Sequence, residues 1–206
     1  MSSQCDLIRR GCEELDIPCS EAQVNQFLTY LAELKKWNKA YNLTGLKTDR
    51  DIVVKHFLDS LLFLKVLPAG TGTVADVGSG AGFPGIPLKI MIPAVKMFLL
   101  EPVQKKAIFL RHVCGKLGLR AVEVIDKRIE DVEGLCVDAA MTRALFSIGD
   151  FVDTAKGIVG KGGLLILSKG PKIEDELKGR ETGNITVTDY KLPFTETVRH
   201  LVVVRL

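Results

Sequence analysis

The sequence has no apolar run of the roughly 18 to 20 residues that span a bilayer, and Met1-Ser2-Ser3-Gln4-Cys5-Asp6 lacks the basic and apolar regions of a secretory signal. A soluble protein of the cytoplasm with no membrane partner is expected. The five cysteines (Cys5, Cys12, Cys19, Cys114, Cys136) are odd in number and form no Cys-x-x-Cys pair. Neither a disulfide framework nor a zinc or other metal site is therefore expected, and the thiols read as reduced packing residues. The three histidines fall into no Ser, His and Asp or Cys and His constellation, so no covalent mechanism is indicated. His112 and His200 show no partner. His56 and Asp59, three apart on a predicted helix, are close enough to interact and read as structural groups. Aromatic residues are scarce at 6%, but 47% of the 206 residues are hydrophobic, enough to bury a full core and exclude disorder.

A strong charge of either sign is missing too: 28 Lys and Arg against 25 Asp and Glu leave a net charge of +3, too little to identify a partner. The distribution is uneven, however. Six basic residues (Lys35, Lys36, Lys39, Lys47, Arg50, Lys55) stand against Asp49 and Asp51, with Trp37 and Tyr41 among them. Such a stretch can hold RNA phosphates and stack bases. A solvated helix face whose aromatics turn inward explains it equally well.

What the chain does have is Asp-Val-Gly-Ser-Gly-Ala-Gly-Phe-Pro-Gly-Ile-Pro over residues 76 to 87, set between a short apolar run and a helix-like segment. Strand, glycine loop, helix is the order of a nucleotide-binding turn, in which glycines bring backbone N–H groups close to a ligand. The dinucleotide fingerprint needs glycines two and five residues after the first, and counted from Gly78 the last position is Phe83. A shifted match at Gly80, Gly82 and Gly85 puts Pro84 inside the turn. Asp-x-Gly-x-Gly-x-Gly is instead the pattern of S-adenosylmethionine (SAM) methyltransferases.

The N-terminal third reads as helical. Ser20 to Gln23 fits a capping box, and Val24, Phe27, Leu28, Leu31 and Leu34 recur at helical spacing. A second helix is predicted from Asp51 to Val66, with a turn at residues 42 to 45. From residue 73 onward strands alternate with helices. Strands are predicted at 73–77, 95–100, 121–125, 137–142 and 163–168, with helices near 86–92, 104–117 and 148–159. Two last strands, 184–191 and 197–206, are joined by too few residues for a parallel crossover and should pair antiparallel. The expected fold is α/β, a Rossmann-like class I SAM methyltransferase with a mostly parallel sheet ending in an antiparallel hairpin. A helical extension (residues 1–70) precedes the SAM-binding domain (residues 71–206).

Ligands in such sheets collect at the C-terminal ends of strands. Glu101 ends the second strand, where an acid can accept hydrogen bonds from ribose hydroxyls. Arg128, Ile129 and Glu130 follow the third and are placed to flank an adenine. Thr142 and Arg143 end the fourth, beside the cofactor's reactive end, and Arg143 suits a methionine carboxylate or a substrate phosphate. Asp138, at the opposite end of that strand, reads as structural. Lys169 follows the fifth strand and reads as an exposed lysine that can also face the substrate.

Together these residues resemble one family, the bacterial RsmG (GidB) 16S rRNA guanine-N7 methyltransferases. Trp37-Asn38-Lys39-Ala40-Tyr41-Asn42-Leu43-Thr44 is similar to the family's Trp-Asn-x-x-x-Asn-Leu-Thr, and His56-Phe57-Leu58-Asp59-Ser60-Leu61 to its His-x-x-Asp-Ser-Leu. Phe83-Pro84-Gly85-Ile86-Pro87 is more particular than the glycines before it. The resemblance implies SAM as cofactor, contacted by Gly78, Phe83, Ile129, Glu130 and Arg143, with Glu101 at the ribose; Gly80 of the glycine loop is a further candidate for cofactor binding. It implies 16S rRNA or the small ribosomal subunit as partner; no DNA partner and a monomer are expected, and charge and aromatic placement make Lys35, Lys36, Lys39, Trp37, Tyr41, His56, Arg128 and Lys169 the candidate RNA contacts. No catalytic base is expected, because guanine N7 attacks through a neutral lone pair. A nicotinamide-dependent oxidoreductase and a small-molecule SAM methyltransferase are the alternatives.

Overall fold

A computed structural model of the chain describes residues 3–143, 145–171, 173, 176 and 184–206. Met1 and Ser2 of the N-terminal hexapeptide lie outside the described residues. Two helices open the chain, α1 (Ser3–Glu14) and α2 (Glu21–Tyr41). The capping box at the start of α2 is formed in both directions, Gln23 N–H to the Ser20 hydroxyl and Ser20 N–H to the Gln23 side chain. Val24, Phe27, Tyr30, Leu31 and Leu34 are the buried face of α2, and each such side chain contributes about 1.5 to 3 kcal/mol on burial. Asn42 ends the helix in the left-handed region at φ 50°.

The second predicted helix begins earlier than Asp51 and is not uniform. α3 (Asp49–Ile52), capped by Thr48, runs without a break into a π-helical turn (Val53–Leu58), then α4 (Asp59–Leu61) and a 3-10 turn (Leu62–Lys65). π-turns are rare and concentrate at functional sites; this one carries His56.

β1 (Thr73–Val77), α5 (Gly85–Met91), β2 (Lys96–Leu100), α6 (Gln104–Lys116), β3 (Val122–Ile125), β4 (Val137–Arg143), α7 (Ile148–Ala155), β5 (Val159–Lys169), β6 (Ile185–Lys191) and β7 (Val198–Arg205) follow. They build one sheet of order β3-β2-β1-β4-β5-β7-β6. The first five strands are parallel, and β7 lies antiparallel between β5 and β6. The hairpin expected at the chain's end is therefore present, folded so that its second strand is the inner one.

Successive residues of the central strands enter two different cores, as the period of two requires for strands covered on both faces. Val74, Leu99 and Met141 join the cluster of α1, α2, α5 and α6, whereas Ala75, Leu100 and Ala140 join that of α7. The first cluster runs from Cys5 through Leu201 and crosses residue 70. No helix among the described residues is long and apolar enough to cross a membrane.

Three expectations are corrected. His112 and His200 have partners, Glu33 and Asp189, each at 2.6 Å. Cys136 is exposed and does not pack in the core. His56 and Asp59 do not bond each other; both reach Arg143. Asp138 is structural as expected: its Oδ2 accepts from Gly72 N–H, Thr73 N–H and the Thr73 hydroxyl, tying β4 to β1.

Candidate active site

β1 has β2 on one side and β4 on the other, so chain direction across the sheet reverses there, and the crevice beyond its C-terminal end is where a doubly wound sheet binds ligands. Gly78 (φ 75°), Gly80 (φ 59°) and Gly82 (φ 102°) take left-handed conformations that turn the chain within a few residues. Gly78 and Ser79 N–H both donate to Leu100 C=O, Gly80 N–H to Glu101 Oε2 at 2.8 Å, and Gly82 and Phe83 N–H to Ser79 C=O. The expectation that these N–H groups face a ligand is corrected: those of Gly78, Ser79 and Gly80 hold the loop against the end of β2, and those of Gly82 and Phe83 close a turn within the loop. Asp76 sits fully buried beneath it, its Oδ2 accepting from Gly85 N–H and its Oδ1 without a partner. Burial drives the Asp76 carboxyl up to about 7.

Beside the loop lies a slot of about 280 Å³ walled by Val77, Gly78, Leu100 and Ile129, with Arg128 and Glu130 also in its lining. Glu101 is 3% exposed at the end of β2, each carboxylate oxygen taking one backbone N–H, from Gly80 and from Val103. Each oxygen keeps a further lone pair for a hydroxyl. Leu100 and Pro102, on either side of Glu101 in the chain, line the slot, while the Glu101 carboxylate lies outside its lining; an apolar slot floored by Gly78 suits a nucleoside such as that of SAM. Leu145, 59% exposed, stands over Gly78, where a Cβ would meet its Cδ2.

A second cavity of about 600 Å³ adjoins the first, sharing Leu145 and Phe146. Its lining includes four cationic side chains, Lys55, Arg143, Lys169 and Arg199, and two carboxylates, Asp59 and Glu176. Arg143 Nη1 donates to Lys55 C=O (3.1 Å) and Asp59 Oδ2 (3.0 Å), and Nη2 meets His56 Nδ1 (2.9 Å). A guanidinium only donates, so His56 Nδ1 accepts, and the imidazole proton is on Nε2, which donates to the Thr44 hydroxyl at 2.7 Å. Burial, then the Arg143 charge, lowers His56 to about 3, so the ring is neutral.

Several predicted residues occupy different roles from those expected. The Phe83 ring is buried between His56 and Tyr30, 4.4 and 5.4 Å away by ring centroid, and lines neither cavity. It supports Arg143, whose Cζ lies 5.3 Å from its centroid. Thr142 is buried with its hydroxyl on Val77 C=O, bracing β4 against β1. Lys169 is not an exposed lysine: its side chain is 12% exposed, and Nζ bonds Phe146 C=O and Glu176, both at 2.7 Å. Both nitrogens of His56 are engaged, so it holds the site together rather than offering itself to RNA. Trp37 packs on Phe109 and His112, and Tyr41 is exposed beside it. Lys35 pairs with Asp49 and, with Lys39, lines a separate cleft of about 620 Å³ with Asn38 and Lys47. Lys36 is exposed on the same helix. Asp59 and Arg199, both in the second cavity, were not singled out by sequence for this role.

Fold and site together define a class I SAM-dependent methyltransferase. Among solved structures the chain resembles a methyltransferase from Pyrococcus furiosus (TM-score 0.61, 17% identity, 88% of this chain and 98% of that one). It also resembles M. jannaschii TYW2 in complex with AdoMet (TM-score 0.53, 18% identity, 72% and 74%). Residues 23–202 match the family described as rRNA small subunit methyltransferase G, GidB. A ribosomal RNA small subunit methyltransferase G from Pelotomaculum thermopropionicum is 41% identical, the alignment covering 100% of this chain and 91% of that protein. The chain belongs to this family.

Proposed function

We propose that the protein transfers a methyl group from SAM to N7 of a guanine in 16S rRNA. The observation that carries it is the pairing of cavities, a nucleoside-sized slot beside Gly78 opening at Leu145 and Phe146 onto a larger cationic space. SAM, when bound, supplies a sulfonium methyl for transfer. Gly78, Ile129 and Glu130 would flank its nucleoside and Glu101 its ribose.

Among the described residues, no carboxylate or imidazole lining the second cavity is free to act as a base. Asp59 is held by two guanidiniums, Glu176 by Lys169 and Ile148 N–H, and His56 accepts from Arg143. That favours an acceptor with a neutral lone pair, such as guanine N7, over a hydroxyl or amide that must first lose a proton. The protein's contribution is positioning, worth on the order of 7 to 11 kcal/mol where geometry is good. An rRNA substrate also puts the protein in the cytoplasm.

Incubation with methyl-labelled SAM and small-subunit rRNA from cells lacking the gene, followed by strand cleavage at N7-methylguanine, tests this. Label at one guanine N7 is expected. Label elsewhere, or none in either naked rRNA or assembled subunits, overturns it.

A further inference from the structure

The cationic side chains of the second cavity are not equivalent. Lys55 Nζ pairs with Asp51, Lys169 with Glu176 and Phe146 C=O, and three donor contacts of Arg143 are taken by Lys55, Asp59 and His56. Arg199 differs. Its Nε donates to Asp59 Oδ1 at 2.7 Å, and its terminal Nη1 and Nη2 have no partner among the described residues. They leave four N–H donors on a side chain that lines the cavity. Asp59, 1% exposed, divides its carboxylate between the two arginines, Oδ2 to Arg143 and Oδ1 to Arg199. One carboxylate thereby fixes two guanidiniums that would otherwise repel, and it neutralises only one of the two charges.

We infer that Arg199, oriented by Asp59, grips a phosphate of the acceptor RNA. A planar fork of unpaired N–H groups matches two phosphate oxygens. Its strand lies away from the glycine loop. Arg199 lies near the start of β7, opposite Tyr190 of β6 and next to His200, which pairs with Lys169 at the end of β5. β7 is three strands from β1 in the order β1-β4-β5-β7, roughly 14 Å at about 4.8 Å per step. Arg143, on β4, is one step from the glycine loop and has most of its donors engaged. The Arg199 side chain reaches back to Asp59 and lines the second cavity but not the cofactor slot, which puts the phosphate contact on the acceptor side. Asp59 is a positioning residue: it acts through Arg199 and does not touch the RNA.

This assignment rests on the RNA methyltransferase reading, and the two fail separately. The full-length protein and its Arg199→Ala, Arg199→Lys and Asp59→Asn variants are titrated with a fluorescent 16S rRNA transcript over a range of KCl, and with S-adenosylhomocysteine by calorimetry. Arg199→Ala is expected to weaken RNA binding on the order of tenfold or more and to lower the log–log salt slope by about 1, with the nucleoside ligand bound as before. Arg199→Lys keeps the charge and should recover the slope but not all the affinity. Asp59→Asn should reproduce the affinity loss; Arg199→Ala, on a partly exposed side chain, decides the matter should Asp59→Asn not fold. Unchanged RNA affinity and slope in Arg199→Ala overturns the phosphate contact, as does weakened S-adenosylhomocysteine binding with RNA binding intact, which would assign Arg199 to the methionine carboxylate. Failure of the wild-type protein to methylate RNA would overturn the functional reading while the binding arms still decide Arg199.

Discussion

The His56 imidazole lies flat on the Phe83 ring, centroids 4.4 Å apart and planes 16° from parallel. The π-turn of the N-terminal helices is thus stacked on the end of the glycine loop, and the Arg143 guanidinium contacts both rings. A neutral imidazole suits this place, since a charged one would face Arg143.

The pH dependence of stability should show two opposing contributions. His56 is depressed to about 3 in the folded protein, so its contribution is present above about 6.5, its unfolded value, and is lost as pH falls toward 3. Asp76 is raised to about 7, so its contribution is present below about 3.9 and is lost as pH rises to 7. Between pH 4 and 6.5 the two slopes have opposite sign, each at most about 1.4 kcal/mol per unit. Asp76→Asn, isosteric with the neutral acid, removes one. Its melting temperature relative to wild type should climb across that window; a constant difference would show that Asp76 does not titrate there.

The glycine loop should tolerate alanine unevenly. A Cβ on Gly82 would meet Ile86 Cδ1 at 2.5 Å and the Tyr30 hydroxyl at 2.6 Å, at a φ of 102°. Tyr30 and Ile86 are fully buried and cannot give way. Gly80 has φ 59° and open space, Gly78 O at 3.9 Å being its nearest neighbour. Denaturant titration should find Gly80→Ala costing about 1 to 2 kcal/mol, the ordinary left-handed penalty, and Gly82→Ala distinctly more. Equal costs would refute the packing at Gly82.

Glu101 orders the loop through Gly80 N–H and is the residue proposed for the ribose. Glu101→Ala leaves Gly80 N–H without its acceptor and removes a charged one for the nucleoside. Calorimetry with SAM should show affinity falling on the order of tenfold or more, since hydrogen bonds to charged groups are worth about 1.5 to 3 kcal/mol. Retained affinity would remove Glu101 from the nucleoside site.

The helix carrying Lys35, Lys36 and Lys39 is the candidate RNA face outside the cavity. Changing the three together to Ala should lower the salt slope of rRNA binding by on the order of 2, less than three full charges because Lys35 is already paired with Asp49. An unchanged slope and affinity would exclude this face.

Much of the fold could be read from periodicity. β1 spans the predicted residues, and β2, β3, β4, α5 and α6 begin and end within one residue of their expected bounds, because apolar runs broken by glycine and charge mark them sharply. β5 starts four residues early, at Val159, since Gly160, Gly162 and Gly163 hid its first half. α1 was not delimited at all, although Cys5, Ile8 and Cys12 form a helical stripe, because cysteine counts weakly in such patterns. The glycine loop and Glu101 were legible for the opposite reason, being local in sequence. The pairing of Asp59 with Arg199 spans 140 residues and has no local signature; only the sheet order, which brings β7 beside β5, makes it possible.

The crossing of residue 70 by one apolar cluster bears on how the chain can be engineered. The N-terminal helices could not be exchanged between methyltransferases as a cassette. A graft would have to bring the cognate counterparts of Phe83, Arg143 and Arg199 with it, or the recipient would keep its cofactor slot and lose the counter-charge that shapes the acceptor side.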